Sequence, residues 1–511
     1  MILREHHGGM LTLHDGDRLV ERFDCRHDTH RALEWLRQIN ALRLADGTPI
    51  FAHARHRGFY LWPFFQEVLF HGVCVPWARY REVIAWLGAR AVVCDHGGLD
   101  AFAPFLEILR GGPRPAPLRS FAFDTLLALA RRRSDPHPLA LYDLIDHDFR
   151  SRAIRETLEA MGVPFSRFRR FETRRDGGAA FSGTRHIPWA IALGRKPGRA
   201  PALHAETKTD WPPAVLDRVL AWMDGMVRQA ADEIEALIAA WARRRPRLIY
   251  GIDDCGAPNP IWAAAKACGI PTVGHMHGSY TACHAGWMRH GIPHAFNNVR
   301  FDRLFVWGRY WKRKLLQYTN LFEEREIEVA CPMRPPPKYQ VRRASAGARR
   351  AGDRRIVLVP YEFLADQPAI GVYMDQMIAR GWRVLLKTRP DEPKEDQLAS
   401  YQLRHRAQVE IVETLSDELL STVDAAAGTM TTFLYELLPY GIPVWYLETG
   451  FTMMEDMVTD GLAHRVTLAE LASPPDEWFV PRYSGDGLEF LDTRRSLREV
   501  LEALLREHGL R

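Results

Sequence analysis

RLIYGIDDCGAPNPIWAAAKACGIPTVGHMHGSY, residues 247 to 280, changes character three times within 34 residues. Leu248-Ile249-Tyr250 is a short apolar run of the kind that forms a buried strand. Gly251 and the pair Asp253-Asp254 mark its carboxyl end. Pro258 and Pro260 suit the entry to a helix, where a missing N–H costs least. That helix, Ile261 to Cys268, ends at Gly269, a residue suited to a left-handed cap. Pro271-Thr272-Val273 then forms a second strand, which runs into His275, His277, Gly278, Ser279 and Tyr280. Strand, helix and strand in this order make a βαβ unit. Ligands of open parallel sheets bind beyond the carboxyl ends of the strands. Both polar clusters are therefore expected side by side at such a site.

Upstream, Val215, Val219, Trp222, Met226, Ala230, Ile234, Leu237 and Trp241 recur at three- and four-residue steps, the apolar stripe of a core-facing helix. Further back the pattern predicts helices over 29–44, 62–70, 79–87, 102–109 and 150–161. It predicts strands at Pro49–Ala54, Arg90–Cys94 and Leu139–Ile145. Downstream, Arg303–Trp307 and Glu326–Ala330 are two more strands, and prolines 332 and 335–337 stop regular structure. Alternation then restarts. Strands are predicted at 355–359, 383–387, 409–412, 423–427 and 443–446, and helices over 369–380 and 432–439. Ser416 is an N-cap, and Leu497–Glu507 is a terminal amphipathic helix. The expected organisation is an α/β domain over 1–341, with 1–210 unassigned in detail, and a basic linker at 342–355. A second α/β domain over 356–490 and a terminal helical segment over 491–511 follow.

The 511 residues exceed what one core can hold, and 47% hydrophobic with 26% charged residues is a globular balance. No apolar run reaches the ~18–20 residues that span a bilayer, and the first ten residues lack a signal-peptide core. The expected location is cytoplasmic. Seven cysteines without a Cys-x-x-Cys argue against a disulfide framework or a cysteine zinc site. The net charge of +5 is concentrated in runs such as Arg131–Arg133, Arg243–Arg245 and Lys312–Lys314. These are solvated helix ends, or a contact with an anionic membrane at its inner face. Without an accompanying motif they do not indicate nucleic acid.

Two loops of the second domain carry candidate chemistry. Lys387-Thr388-Arg389-Pro390 sets two cations at a strand's carboxyl end. Gly428-Thr429-Met430-Thr431-Thr432 lies between a strand and a helix, where free N–H groups and the helix dipole favour an anion. Glu436, one turn after Thr432, is placed to accept from ribose hydroxyls. Lys387, Arg389, Thr429, Thr431, Thr432 and Glu436 thus suit a nucleoside phosphate.

These motifs together resemble GT-B glycosyltransferases, and more narrowly the bacterial surface- and capsule-polysaccharide enzymes, including Kdo-transferase and glycerophosphotransferase relatives. GIPTVGHMHGS is similar to their GIP…QHG segment and RLFVWGRYW to their D…WG segment. VLLKTRP is similar to K-x-H-P, and AGTMTTFLYELLPYGIPV to S/T-T…E…G-P-V. The likeness spans roughly residues 245–450. Arg389 stands where such families often have His, and Met276 where Gln is common.

The resemblance implies two Rossmann-like domains facing a cleft, with a nucleotide-sugar as co-substrate in the C-terminal domain and no further cofactor. It also implies a glycan or lipid-linked acceptor on the N-terminal side, near Asp253, His275, Gly278 and Ser279, and catalysis without a metal. His277 is the expected base and Asp254 its helper. The alternatives are a nucleotide-sugar epimerase on the same fold and a non-catalytic scaffold of a polysaccharide assembly complex. Asp15-Gly-Asp17 and Asp146-His-Asp148 match the Asp-x-Asp of metal-dependent transferases. Histidines 275, 277, 284, 290 and 294 lack partners at zinc spacing. Neither a Gly-x-Gly-x-x-Gly nor a Walker A sequence is present.

Overall fold

A computed structural model describes residues 2–6, 10–90, 137–142, 149–169, 184–186, 200–204, 208–243, 245–252, 259–319, 321–334, 354–362, 365–389, 393–451 and 453–511. The expected strand at 90–94, the helix at 102–109, most of the linker, Asp146–Asp148 and the pair Asp253-Asp254 lie outside these residues.

The chain opens with an antiparallel sheet of β1 (Ile2–His6), β2 (Met10–Asp15) and β3 (Arg18–Asp24). The turn between β2 and β3 holds Gly16 at φ +60°, a left-handed conformation that glycine adopts without a Cβ penalty. Asp15 and Asp17 therefore flank a hairpin turn. A small hairpin of β4 (Arg55–His56) and β5 (Phe59–Tyr60) follows. The strand expected at Pro49–Ala54 is instead a single helical turn, Ile50–His53, after Pro49 at its N-cap. A short apolar run does not by itself separate strand from buried helix.

Two parallel sheets carry the architecture. The first contains β6 (Leu139–Tyr142), β7 (Phe165–Arg169), β8 (Thr184–His186), β9 (Leu248–Ile252), β10 (Thr272–His275), β11 (Arg303–Val306) and β12 (Ile327–Val329). Their spatial order is β12-β11-β10-β9-β6-β7-β8. The second contains β13 (Ile356–Pro360), β14 (Arg383–Lys387), β15 (Val409–Val412), β16 (Ala425–Gly428), β17 (Val444–Leu447) and β18 (His464–Val466). Their order is β15-β14-β13-β16-β17-β18. Both sheets reverse direction once, between their first and fourth strands in chain order, which is the doubly wound α/β arrangement. Their central strands, such as β9, β13 and β16, are buried on both faces, as parallel strands covered by helices must be.

The βαβ unit of residues 247–280 forms as its residues dictate. The helix runs from Asn259 to Ala267 with Pro260 in its first turn, and Gly269 takes φ +60°. The register pairs Val273 with Tyr250 and His275 with Ile252, so the two strands end level. The amphipathic helix upstream spans Pro213–Arg243.

Two groups of contacts, among others, tie the two domains together. The helix Arg309–Tyr318 follows β11 and presses on the second domain. Lys314, 1% exposed, donates to Asp460 Oδ2 at 2.6 Å and to Tyr318 Oη at 3.2 Å. Tyr310 Oη donates to the same Asp460 oxygen at 2.6 Å, and Trp311 Nε1 to the Phe490 carbonyl at 2.9 Å. A cation this buried needs such partners. At the other end, the C-terminal helix Leu497–Glu507 packs against the helix Phe149–Ala160 of the first domain. Arg247 donates to the carbonyls of Gly509 and His508 at 3.0 and 2.9 Å. Arg303 forms a two-pronged pair with Glu507, and Arg495 reaches Glu328 at 3.2 Å. No helix among the described residues is long and apolar enough to cross a membrane.

Candidate active site

The carboxyl ends of the second sheet bring three segments together. β13 and β16 are neighbours at the reversal of strand order, so the residues after each meet. Glu362, two residues beyond β13 and 3% exposed, aims its carboxylate at the loop after β16. It accepts from the backbone N–H of Thr429 (2.9 Å), Met430 (2.9 Å) and Thr431 (2.9 Å) and from the Thr429 hydroxyl (2.6 Å). A Cβ on Gly428 would stand 2.7 Å from Glu362 Oε1, so glycine leaves room for the carboxylate. Burial pushes the Glu362 carboxyl up, against the pull of its donors.

This corrects the expectation for the threonine loop. The amides of 429–431 do hold an acceptor, and it is the protein's own Glu362 carboxyl. Thr429 is fully buried in that contact. Thr431 Oγ1 accepts from the Phe433 N–H at 3.3 Å. The helix that follows, Phe433–Leu437, has only five residues, and its N-cap Thr432 makes no capping bond with its side chain. The donors available to a ligand are thus fewer than the sequence implied.

Lys387 and Glu436 feel each other's charge, and a third residue, Arg334, acts on both. Lys387 ends β14, where its Nζ donates to the Thr388 carbonyl at 2.6 Å. Burial, and then the nearby Arg334, lower its pKa, while Glu413 and Glu436 oppose them. Glu436 is half-buried. Burial pushes its carboxyl up to about 7, against Arg334 and Lys387. Arg334 is an exposed residue five positions beyond β12, on the first domain's side, and sequence reasoning missed it. Its signal in the sequence is weak, an arginine among prolines that stop regular structure. Arg389 follows in the same loop as Lys387. Its backbone exchanges bonds with the buried Gln397 side chain at 2.8 and 2.9 Å, which fixes the loop.

On the first domain's side, His275 is not at the surface. Strand β10 runs through it, and it is fully buried. Nε2 donates to the Cys331 carbonyl at 2.7 Å, so Nδ1 accepts from the Tyr250 hydroxyl at 2.5 Å. Burial holds its pKa down to about 4. His275 is a core residue, and both of its nitrogens are used, which corrects its assignment to an acceptor site. His277, Gly278 and Ser279 follow in the loop and are half-buried. His277 lies near His284, whose pKa is held at about 3 by burial and then by the charges of His277, His71 and His290. Beyond it, Cys283 and the second domain's Glu362 both act on Tyr446 of β17, and the Ala282 N–H donates to Asp456 Oδ2 at 3.1 Å. The loop after β10 therefore faces the carboxyl ends of the second sheet. Among the described residues, no group of His, Cys, Asp or Glu is arranged to hold a metal ion.

No family model and no curated protein matches the chain. Solved structures give remote likenesses. One is a UDP-N-acetylglucosamine 2-epimerase at 12% identity, covering 74% of this chain and 97% of that one, with a TM-score of 0.37. Another is MurG of Acinetobacter baumannii at 10% identity, covering 72% and 99%, with a TM-score of 0.37. A third is CalG4, the calicheamicin glycosyltransferase, at 14% identity, covering 74% and 95%, with a TM-score of 0.37. Likenesses this remote carry no weight for family or activity. The α/β assignment stands on the strand orders above.

Proposed function

We propose that the protein is a GT-B-type glycosyltransferase that moves a sugar from a nucleotide-activated donor to a surface-polysaccharide or glycan acceptor. The observation that carries this reading is the grouping of Lys387, Arg334 and Glu436 at the carboxyl ends of the second sheet. A departing nucleoside phosphate gains negative charge, and cations held in place beforehand stabilise it. Lys387 and Arg334 supply two, and Glu436 accepts from ribose hydroxyls. Arg389 and the Thr432 hydroxyl complete the donor side. Thr429 and Thr431 act indirectly, through the loop that Glu362 holds.

On the acceptor side, His277 serves as the base for the acceptor hydroxyl, and Asp254 orients it or the acceptor. With two cations at the leaving group, the reaction proceeds without a metal. The acceptor is a glycan or a lipid-linked sugar, and the basic runs hold the enzyme against an anionic membrane at the cytoplasmic face.

A second reading has one observation in its favour. A carboxyl with a pKa of about 7, as at Glu436, suits proton transfer at neutral pH, which a nucleotide-sugar epimerase requires.

A thermal-shift screen of nucleotides and nucleotide-sugars tests the donor site, because a ligand bound only to the native state raises its melting temperature. Sugar transfer that needs an acceptor and survives EDTA supports the first reading. Isomerisation of the donor alone supports the second. No shift with any nucleotide refutes both and leaves a scaffold.

A further inference from the structure

A cavity of about 710 Å³ opens at the end of the first sheet that lies away from the candidate active site. Arg245 and Arg247 stand there at the entry to β9 and Pro271 at the entry to β10. The helix Leu497–Glu507 runs out at the same place, and Arg506 and His508 complete the wall. The cavity is thus at the amino ends of strands whose carboxyl ends face the second domain. The five residues of β9 put roughly 17 Å between the two ends, at about 3.3 Å per residue.

Three guanidinium groups share this wall, and each is anchored by backbone carbonyls. Arg245 Nη2 donates to the Gly269 carbonyl. Arg247 donates to those of Gly509 and His508 at 3.0 and 2.9 Å, and Arg506 Nε to that of Glu502 at 3.3 Å. Two of the anchors are glycines at φ +60°. A Cβ on Gly269 would stand 3.2 Å from Arg245 Nη2, and one on Gly509 2.9 Å from Arg247 Nη2. The missing side chains are what let the two arginines lie this close to the backbone. These bonds engage one or two donors of each guanidinium and leave the rest of its N–H groups over.

What the three lack is a carboxylate. The arginines around them have one. Arg303 pairs with Glu507, Arg498 and Arg511 with Glu502, and Arg495 with Glu328. Among the described residues no carboxylate pairs with Arg245, Arg247 or Arg506. Glu507, the one acid in the cavity wall, is engaged by Arg303. A cation in the last turn of a helix is favourable in itself, which accounts for Arg506. It does not account for two more cations brought to the same cavity by the start of β9. Like charges held together repel, and an anion between them relieves the repulsion.

The anion that fits carries more than one negative charge and several acceptor oxygens. A lone carboxylate would neutralise one guanidinium and leave two. A phosphate group offers its oxygens to guanidinium forks in pairs. Pro246 and Pro271 give the cavity apolar wall and no N–H, so recognition falls to the arginines. We propose that Arg245, Arg247 and Arg506 bind a phosphate-bearing anion, which clamps the C-terminal helix to the first domain. Arg506 comes from that helix, and Arg245 and Arg247 come from the sheet it packs beside. The site is independent of the glycosyltransferase reading and of Lys387 and Arg334.

The test titrates pyrophosphate into the full chain by calorimetry and follows thermal melts in parallel. It compares wild type, Lys387→Ala, the single variant Arg506→Gln and the double variant Arg245→Gln with Arg506→Gln. Pyrophosphate is expected to bind wild type and Lys387→Ala alike, and to raise both melting temperatures with concentration. The double variant should bind at least tenfold more weakly and its melting temperature should not respond. Arg506→Gln, changed only at an exposed position of the helix, should lose affinity by an intermediate factor even if the double variant fails to fold. Loss in Lys387→Ala with none in the arginine variants would place the anion at the donor side and overturn the proposal. An equal rise with acetate at matched ionic strength would also overturn it, since general screening would then suffice. Sedimentation with phosphatidylglycerol vesicles, against phosphatidylcholine alone, separates the sources of the phosphate. Vesicle binding that pyrophosphate displaces and the double variant lacks assigns it to a lipid headgroup. Pyrophosphate binding without vesicle binding assigns it to a soluble phosphate. A chain that binds neither refutes the site.

Discussion

Replacing Glu436 by glutamine keeps the shape of the side chain and removes its titration. In the folded chain this carboxyl is pushed from its ordinary 4.5 to about 7, chiefly by burial. The folded state therefore holds the proton more tightly than the unfolded state. The stabilisation is complete below about pH 4.5 and is lost as pH rises through 7. The gap corresponds to about 3 kcal/mol, at roughly 1.4 kcal/mol per pH unit. That figure is a ceiling, because the side chain keeps some contact with solvent.

The glutamine variant cannot ionise and escapes this loss. Its stability relative to wild type should be near equal at pH 5 and should rise by about 1–3 kcal/mol between pH 5 and pH 8. For a domain of this size that is a gain of several degrees in melting temperature, at about 2–4 °C per kcal/mol. Parallel thermal melts of both proteins at pH 5, 6, 7 and 8 read it directly. A constant difference across the series, or a glutamine variant that weakens towards pH 8, would refute the reasoning. It would mean that Lys387 and Arg334 stabilise the ionised carboxylate more than burial penalises it.

Three further outcomes follow from the same geometry. Lys387→Ala should weaken nucleotide binding by roughly 1.5–3 kcal/mol, the worth of a charge-assisted phosphate contact; unchanged calorimetric affinity would remove it from the donor site. His277→Ala should lower kcat by about 10²–10⁴-fold while nucleotide binding persists, with Asp254→Asn costing less, and the opposite ranking would make Asp254 the base. Glu362→Ala leaves the three N–H groups of 429–431 and the buried Thr429 hydroxyl without their acceptor, so it should destabilise the second domain by roughly 1–3 kcal/mol or more. Millimolar sulfate should restore part of its melting temperature, and a variant as stable as wild type would show that the loop holds itself.

The sheets were readable because their strands are short apolar runs closed by turn residues. The runs at Arg383–Lys387 and Val409–Val412 form strands with those bounds. Ser416 caps its helix by accepting from the Leu419 N–H. The site was harder to read, because it depends on contacts between residues far apart in sequence. The threonine loop was recognised as an anion site, yet nothing near residue 429 indicates that Glu362, 67 positions earlier, fills it. His275 and His277 look alike in the sequence. Strand β10 extends just far enough to turn the first into the core and leave the second in the loop. The N-terminal hairpin is not among the expected elements: Asp15-Gly-Asp17 matches Asp-x-Asp, yet Asp-Gly between alternating apolar residues is a hairpin signal.

The helix Leu497–Glu507 completes the first domain from the far end of the chain. Its partners Arg247 and Arg303 are made early, and the helix is made about 250 residues after the first of them. At a synthesis rate of roughly 5–20 residues per second, that interval is on the order of 10–50 s. During it the first domain is on the ribosome with the seat of this helix uncovered. The two domains therefore do not mature in the order in which they are translated. The second can close while the first still waits for its last piece, and a cut before residue 497 would damage the domain it does not touch in sequence.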